Sequence, residues 1–155
     1  MKIDFSQSAC IILVGGAGTR FSKKNESPKQ LIKIFKRTLL ENIIIGFSKK
    51  NLNNFILPLG HKKNFFVNFL KKKKKILNKK VNFIYNPKSD LILKKKQINL
   101  VAFDSGTSVS KLTRIKKCLN ILKSNYYFVT YGDGLANIDF NKYFNLINKT
   151  KKNFI

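Results

Sequence analysis

Gly15, Gly16 and Gly18, with Thr19 and Arg20 directly behind them, close an apolar run, and Pro28-Lys29 follows. These residue types suit a polyphosphate. Glycines let backbone N–H groups approach phosphate oxygens with no Cβ in the way, while Arg20 and Lys29 supply positive charge from two directions. Pro28 fixes the backbone just before the lysine. A second group is Gly132-Asp133-Gly134. Acids are scarce here, 7 Asp and Glu against 32 Lys and Arg, and an aspartate between two glycines at a strand end is open to a cation. Mg²⁺ suits such a site, because it takes one or two carboxylates and completes its shell with water and substrate phosphates.

Plainer readings stand beside each of these. Gly-Asp-Gly is also an ordinary turn, Arg20 could cap a loop or pair with an acid, and Lys29 is one lysine of many. The glycines could form only a tight strand–helix turn. Other chemistries are excluded. A Walker A loop needs Gly-Lys where this chain has none, and a dinucleotide fingerprint needs a third glycine where Phe21 stands. His61 is the single histidine, which leaves zinc chemistry without ligands. Ser105, Ser108 and Ser110 have no base near them in the sequence, so nothing supports nucleophilic catalysis.

The elements that must position these residues alternate between strand and helix. Residues 9–14 form a short apolar run, expected as a buried parallel strand. Thr38 with Glu41 makes a capping box for a helix over residues 39–50. Residues 54–59 read as a second strand and 62–74 as a helix with Phe65, Phe66, Phe69 and Leu70 on its apolar face. A third strand is expected at residues 81–85 and, after a Lys-rich loop, a fourth at 100–103. Leu112, Ile115, Leu119 and Leu122 recur at helical spacing, which puts Arg114, Lys116 and Lys117 outward. Residues 126–131, aromatic and β-branched, read as a strand, residues 141–149 as a last helix, and Phe154-Ile155 as the start of a further strand. Such alternation implies a mostly parallel sheet with helices on both faces. Ligands of such sheets bind beyond the strands' carboxyl ends, so the glycine loop and Asp133 should share one rim.

The 155 residues suffice for one domain that buries roughly 70% of its unfolded surface, and 43% apolar content places it among globular chains. No window approaches the ~20 apolar residues of a membrane span, and Met1-Lys2-Ile3-Asp4-Phe5 does not read as a secretory signal. Cys10 and Cys118 lie in apolar patterns and read as reduced core thiols of a cytoplasmic protein. The net charge of +25 raises the question of nucleic acid. Against it, the cations are nearly all Lys, with Arg20, Arg37 and Arg114 the only arginines, and Asn and Ile are abundant too, as AT-rich coding produces. The basic run at residues 71–75 reads as the solvated end of a helix and the loop after it.

The pattern Gly15-Gly16-x-Gly18-Thr19-Arg20 with Pro28-Lys29 resembles the signature of the sugar-phosphate nucleotidyltransferases. Tyr131-Gly132-Asp133-Gly134-Leu135-Ala136-Asn137-Ile138-Asp139 is similar to their glucose-1-phosphate cytidylyltransferase branch. So are Leu100-Val101-x-x-Asp104-x-Gly106, which leads into Arg114-Ile115-Lys116, and the stretch over residues 28–40. The similarity runs from about residue 9 to the last residue, the N-terminal part of that family's catalytic domain.

The resemblance implies an α/β, three-layer Rossmann-like fold, with residues 1–155 a single domain truncated before the sugar-binding half. It implies attack of a sugar 1-phosphate oxygen on the α-phosphorus of a nucleoside triphosphate, with pyrophosphate leaving. CTP and glucose 1-phosphate are the favoured substrates and Mg²⁺ the cofactor. Gly15, Gly16, Gly18 and Thr19 would cradle the nucleotide, Arg20 would stabilise the leaving pyrophosphate, Lys29 would contact phosphate at the reacting centre, and Asp133 would hold Mg²⁺. No membrane and no specific nucleic acid are implied as partners; a second copy or the missing C-terminal half is compatible. Where the branch carries Thr-Gly-Gly-Arg, this chain reads Lys111-Leu112-Thr113-Arg114 after Ser110, with bulkier side chains toward a base. The expectation is that the isolated chain is inactive or nearly so. The alternatives are a nucleotide-binding module without the chemistry, and a basic protein that binds nucleic acid through its lysines. Aromatic residues at core spacing argue against the latter.

Overall fold

A computed structural model describes residues 7–16, 27–76, 91–95 and 98–150. In chain order the elements are β1 (Ser8–Leu13), a 3₁₀ turn (Lys29–Leu31), the short strands β2 (Lys33–Ile34) and β3 (Arg37–Thr38), α1 (Leu39–Ser48), β4 (Asn54–Leu59), α2 (Lys63–Ile76), β5 (Leu91–Lys95), β6 (Ile98–Asp104), α3 (Lys111–Ile121), β7 (Tyr126–Tyr131) and α4 (Phe140–Thr150). Five strands form one sheet in the order β5-β6-β4-β1-β7. β1 runs parallel to β4 and β7, and β4 parallel to β6; only β5 is antiparallel to its neighbour.

Alternation along the strands sends side chains to two cores. Cys10 and Ile12 of β1 join Phe55, Leu57 and Leu59 of β4 beneath α1, through Leu40 and Ile43, and α2, through Phe66 and Leu70. Ala9, Ile11 and Ile56 turn to the other face and pack with Phe103 and Cys118 of α3. The fold is therefore three-layered, with the mostly parallel sheet in the middle, as expected. A fully buried Leu, Ile or Phe contributes roughly 1.5–3 kcal/mol, so these central strands carry much of the stability. The expected capping box opens α1: Thr38 Oγ1 accepts from the Glu41 N–H at 3.2 Å, and the Thr38 N–H donates to Glu41 Oε2 at 2.8 Å.

Three expectations need correction. The Lys-rich stretch before β6 was expected as a loop, yet Leu91–Lys95 forms an antiparallel edge strand in which Lys94 and Lys95 lie opposite Asn99 and Ile98. Lysines suit an edge, where they discourage further pairing. The run at residues 71–75 lies inside α2, which continues to Ile76. The third correction concerns α3. Arg114 is buried at 5% exposure, whereas Leu112 and Leu119 remain 57% and 39% exposed. The helix is turned so that Arg114 and Cys118, one helical turn apart, face the sheet. Lys117, also expected outward, donates to the Ser105 carbonyl at 3.0 Å. The strand expected at residues 81–85 and Phe154-Ile155 lie outside the described residues. Cys10 and Cys118 are free, buried and on opposite faces of the sheet. Burial pushes the Cys10 thiol far up and the Cys118 thiol up to about 12.

Candidate active site

Four strands end at one rim, where backbone hydrogen bonds bind them together. The Gly132 N–H, after β7, donates to Leu13 O at 3.1 Å; the His61 N–H, after β4, donates to Gly15 O at 3.3 Å; the Ser105 N–H, after β6, donates to Leu59 O at 2.7 Å. A cavity of about 640 Å³ opens there, lined by Gly15 and Gly16, by the turn carrying Lys29, by Lys62, by residues 107–111 and by Arg114, Tyr131 and Asp133.

The two glycines do different work. Among the described residues, no atom lies within 4 Å of where a Cβ on Gly16 would be, so its backbone is bare toward them in the cavity. A Cβ on Gly15 would overlap Arg114 Nη1 and lie 2.9 Å from Pro58 O. Gly132 is as tightly bound, since a Cβ there would come within 2.6 Å of Val14 Cγ1. That fit fixes where Asp133 leaves β7. Pro28 is buried, and the turn it starts, with Leu31 N–H donating to Pro28 O at 2.8 Å, aims Lys29 across the cavity. Lys29 Nζ and Asp133 Oδ2 form an ion pair.

The sequence-predicted residues Gly15, Gly16, Lys29 and Asp133 thus line one cavity on the expected rim. Gly18, Thr19 and Arg20 lie outside the described residues. The residue that sequence reasoning turned outward is Arg114. Its Nη1 donates to Ser105 Oγ at 2.6 Å and to Leu59 O at 3.5 Å, its Nη2 to Thr107 O at 3.1 Å and its Nε to Val109 O at 3.1 Å. Burial lowers its pKa from the usual arginine value, against the opposing charge of Asp104. The available signal was its spacing from Cys118; the leucine stripe obscured it.

Ser105 Oγ also donates to Leu59 O at 2.5 Å, so this hydroxyl is fully engaged in holding the rim. Lys111 Nζ sits 5.1 Å from the Tyr131 ring centroid and donates to its hydroxyl at 3.3 Å. The segment that departs from the branch pattern, Ser110 to Arg114 in sequence, therefore borders the cavity through Ser110, Lys111 and Arg114. Asp104 is spoken for: Lys63 Nζ donates to it at 2.5 Å and the Gly106 N–H at 2.9 Å. Among the described residues lining the cavity, Asp133 is the one carboxylate amid Lys29, Lys62, Lys111 and Arg114. Such a site attracts anions. No group of three or more His, Cys, Asp or Glu among the described residues could hold a metal. A lone, half-exposed carboxylate facing cations fits a hard ion that brings phosphate oxygens and water with it.

A three-layer α/β sheet with a glycine turn, a lysine and an aspartate on its carboxyl rim is an architecture built to bind ligands at that rim. The chain belongs to the nucleotidyl transferase family, whose profile matches residues 9–155. It is 28% identical over 138 residues to the glucose-1-phosphate cytidylyltransferase of Salmonella typhimurium (strain LT2), covering 83% of this chain and 51% of that protein. The same values hold for the glucose-1-phosphate cytidylyltransferase of Salmonella typhi. The chain spans about half the length of these curated relatives. Among solved structures, HddC from Yersinia pseudotuberculosis, complexed with GMP-PN, matches with a TM-score of 0.64 at 18% identity, covering 90% of this chain and 53% of that one. A UDP-glucose pyrophosphorylase complexed with UDP-glucose matches with a TM-score of 0.63 at 14% identity, over 93% and 54% of the two chains. These two likenesses are of fold. No helix among the described residues is long and apolar enough to cross a membrane.

Proposed function

We propose that this chain carries the nucleotide-binding part of a sugar-phosphate nucleotidyltransferase, with CTP and glucose 1-phosphate as the favoured substrates. The observation that carries this reading is the meeting of Lys29 and Asp133 in one cavity with the bare backbone of Gly16, on the carboxyl rim of the sheet. Triphosphate oxygens enter against Gly16 and the cations of the cavity. A sugar 1-phosphate oxygen then bonds to the α-phosphorus as the bond to the bridging oxygen breaks, and that oxygen leaves with pyrophosphate. No covalent intermediate on the protein is needed, so catalysis is positioning and neutralisation of charge.

Lys29 neutralises phosphate oxygens at the reacting centre, and Arg20 takes the charge that grows on the leaving pyrophosphate, a role carried over from the family signature. Asp133 would hold Mg²⁺, which would supply positive charge against the phosphate oxygens that an anionic nucleophile must approach. The cytidylyltransferase relatives support CTP; the side chain of Lys111 borders the cavity where a base would lie.

Because the chain spans half of its relatives, binding is the direct test. Calorimetry with Mg·CTP and with the other triphosphates, at moderate salt, should show preference for CTP and a loss of about tenfold or more in Asp133→Ala, the scale of one charge-assisted contact. Equal binding of all triphosphates by both proteins would overturn the reading.

A further inference from the structure

Asp133 offers its cavity one carboxylate, and Lys29 already occupies it. The pair is not locked in place: its side chains keep 36% and 30% exposure, and among the described residues neither side chain has another partner. Any cation that binds Asp133 must therefore compete with the Lys29 ammonium. A bare divalent ion does so at a disadvantage. Once displaced, Lys29 faces Lys62, Lys111 and Arg114 in a cavity whose described lining contains no second acid. Like charges confined together oppose that state. A phosphate group reverses the balance, because its oxygens give Lys29 a new partner as the metal takes the carboxylate.

We propose that Lys29 and Asp133 form an exchange latch, in which Asp133 gives up Lys29 to a metal ion only when phosphate oxygens take over Lys29. Metal and triphosphate then bind as a unit, each raising affinity for the other by the same factor, as linkage requires. The latch rests on the nucleotidyltransferase reading for the identity of its ligand, but its geometry is that of this chain's own ion pair.

The test uses Mn²⁺ as the probe, its free concentration read by electron paramagnetic resonance, on the full 155-residue chain. Lys29→Met removes the competitor. Mn²⁺ affinity without nucleotide should rise about two- to fivefold, the scale of an exposed ion pair, while Mg·CTP affinity falls about tenfold or more. The opposite signs are the mark of a latch; replacing a lysine that only supports the fold does not tighten metal binding. Lys29→Arg retains a competitor and should keep the wild-type Mn²⁺ affinity, and Asp133→Asn should lose Mn²⁺ binding. Thermal unfolding of each variant shows that the fold is retained. Unchanged or weaker Mn²⁺ binding in Lys29→Met overturns the latch, as does the absence of measurable Mn²⁺ binding in every variant. If Lys29→Met tightens Mn²⁺ while the parent chain binds all triphosphates alike, the latch stands and the nucleotide reading falls.

Discussion

The guanidinium of Arg114 occupies the space that a side chain on Gly15 would need. One arginine of α3 is thereby fitted between the ends of β1 and β4, because Gly60 leaves room for the same group. With its bonds to Leu59 O, Ser105 Oγ, Thr107 O and Val109 O, it ties the ends of β4 and β6 and the cavity wall into one piece. In this chain, half of the Gly15-Gly16 motif is packing and half faces the ligand space.

That division predicts opposite phenotypes for neighbouring substitutions. Gly15→Ala drives a methyl group into Arg114 and Pro58 O, and should cost about 1–3 kcal/mol of stability, as overpacking does. Gly16→Ala meets no atom of the described residues within 4 Å and should leave the urea midpoint nearly unchanged while weakening Mg·CTP binding. Urea unfolding and calorimetry on the two variants check this; equal stability losses would show that the glycines are equivalent.

Arg114→Met keeps the length of the side chain and removes the donors. The buried Ser105 hydroxyl and the carbonyls of Leu59, Thr107 and Val109 each lose a bond. A loss of roughly 2–4 kcal/mol is expected, since hydrogen bonds from a charged group are worth about 1.5–3 kcal/mol each and partial rehydration recovers part. Arg114→Lys should recover less than half of the loss, because an ammonium cannot reproduce the planar fork. Near-complete recovery by lysine, measured by urea unfolding, would mean that charge and not geometry is what the rim requires.

Much of this architecture was legible. The apolar run of β1, the Thr38–Glu41 capping box and the aromatic strand β7 each state their structure locally, because spacing and caps act over a few residues. The sharing of one rim by the Gly15-Gly16 turn and Asp133 was also within reach, since both follow strands of a parallel sheet. Arg114 was not. Its burial depends on the absence of Cβ atoms at Gly15 and Gly60 and on the Leu59 carbonyl at the end of β4, all contributed by distant sequence. Strand β5 was hidden for a related reason: at a sheet edge, a run ending in Lys94 and Lys95 carries no apolar–polar alternation to announce it.

Acid stability should report on Asp104. The Lys63 hydrogen bond, then the Gly106 N–H and the charges of Lys63 and Lys117, hold its carboxyl below the usual carboxylate range, outweighing partial burial. A carboxyl depressed in the folded state stabilises the fold above its unfolded pKa of about 3.9. The contribution is lost as pH falls through that value toward the folded one. Asp104→Asn should lower the urea midpoint near neutral pH, and the two curves should converge between about pH 4 and pH 2. A constant gap over that range would show that the carboxylate's charge is not what matters.

The two thiols should resist labelling. Cys10 and Cys118 are both at 0% exposure, and burial holds both thiols protonated at pH 8. Thiolate is the reacting form, so a disulfide reagent should modify neither in the native protein within minutes and both at once in urea. Rapid native labelling of Cys118 would mean that α3 opens from the sheet far more readily than its packing suggests.

Salt separates the cavity from the rest of a strongly basic surface. A duplex DNA probe meets the lysines spread over a chain of net charge +25. Its affinity should fall steeply with salt as counterions are released, and Lys29→Met should barely alter it. Mg·CTP in the cavity meets fixed groups at short range, where screening is weaker, so its binding should persist at about 0.3 M salt and fall with Lys29→Met. Titrations of both ligands against the parent chain and this one variant, at low and high salt, decide the matter. If DNA and CTP binding weaken in parallel in Lys29→Met, the two ligands share the cavity. The basic surface would then be part of the site and not the background to it.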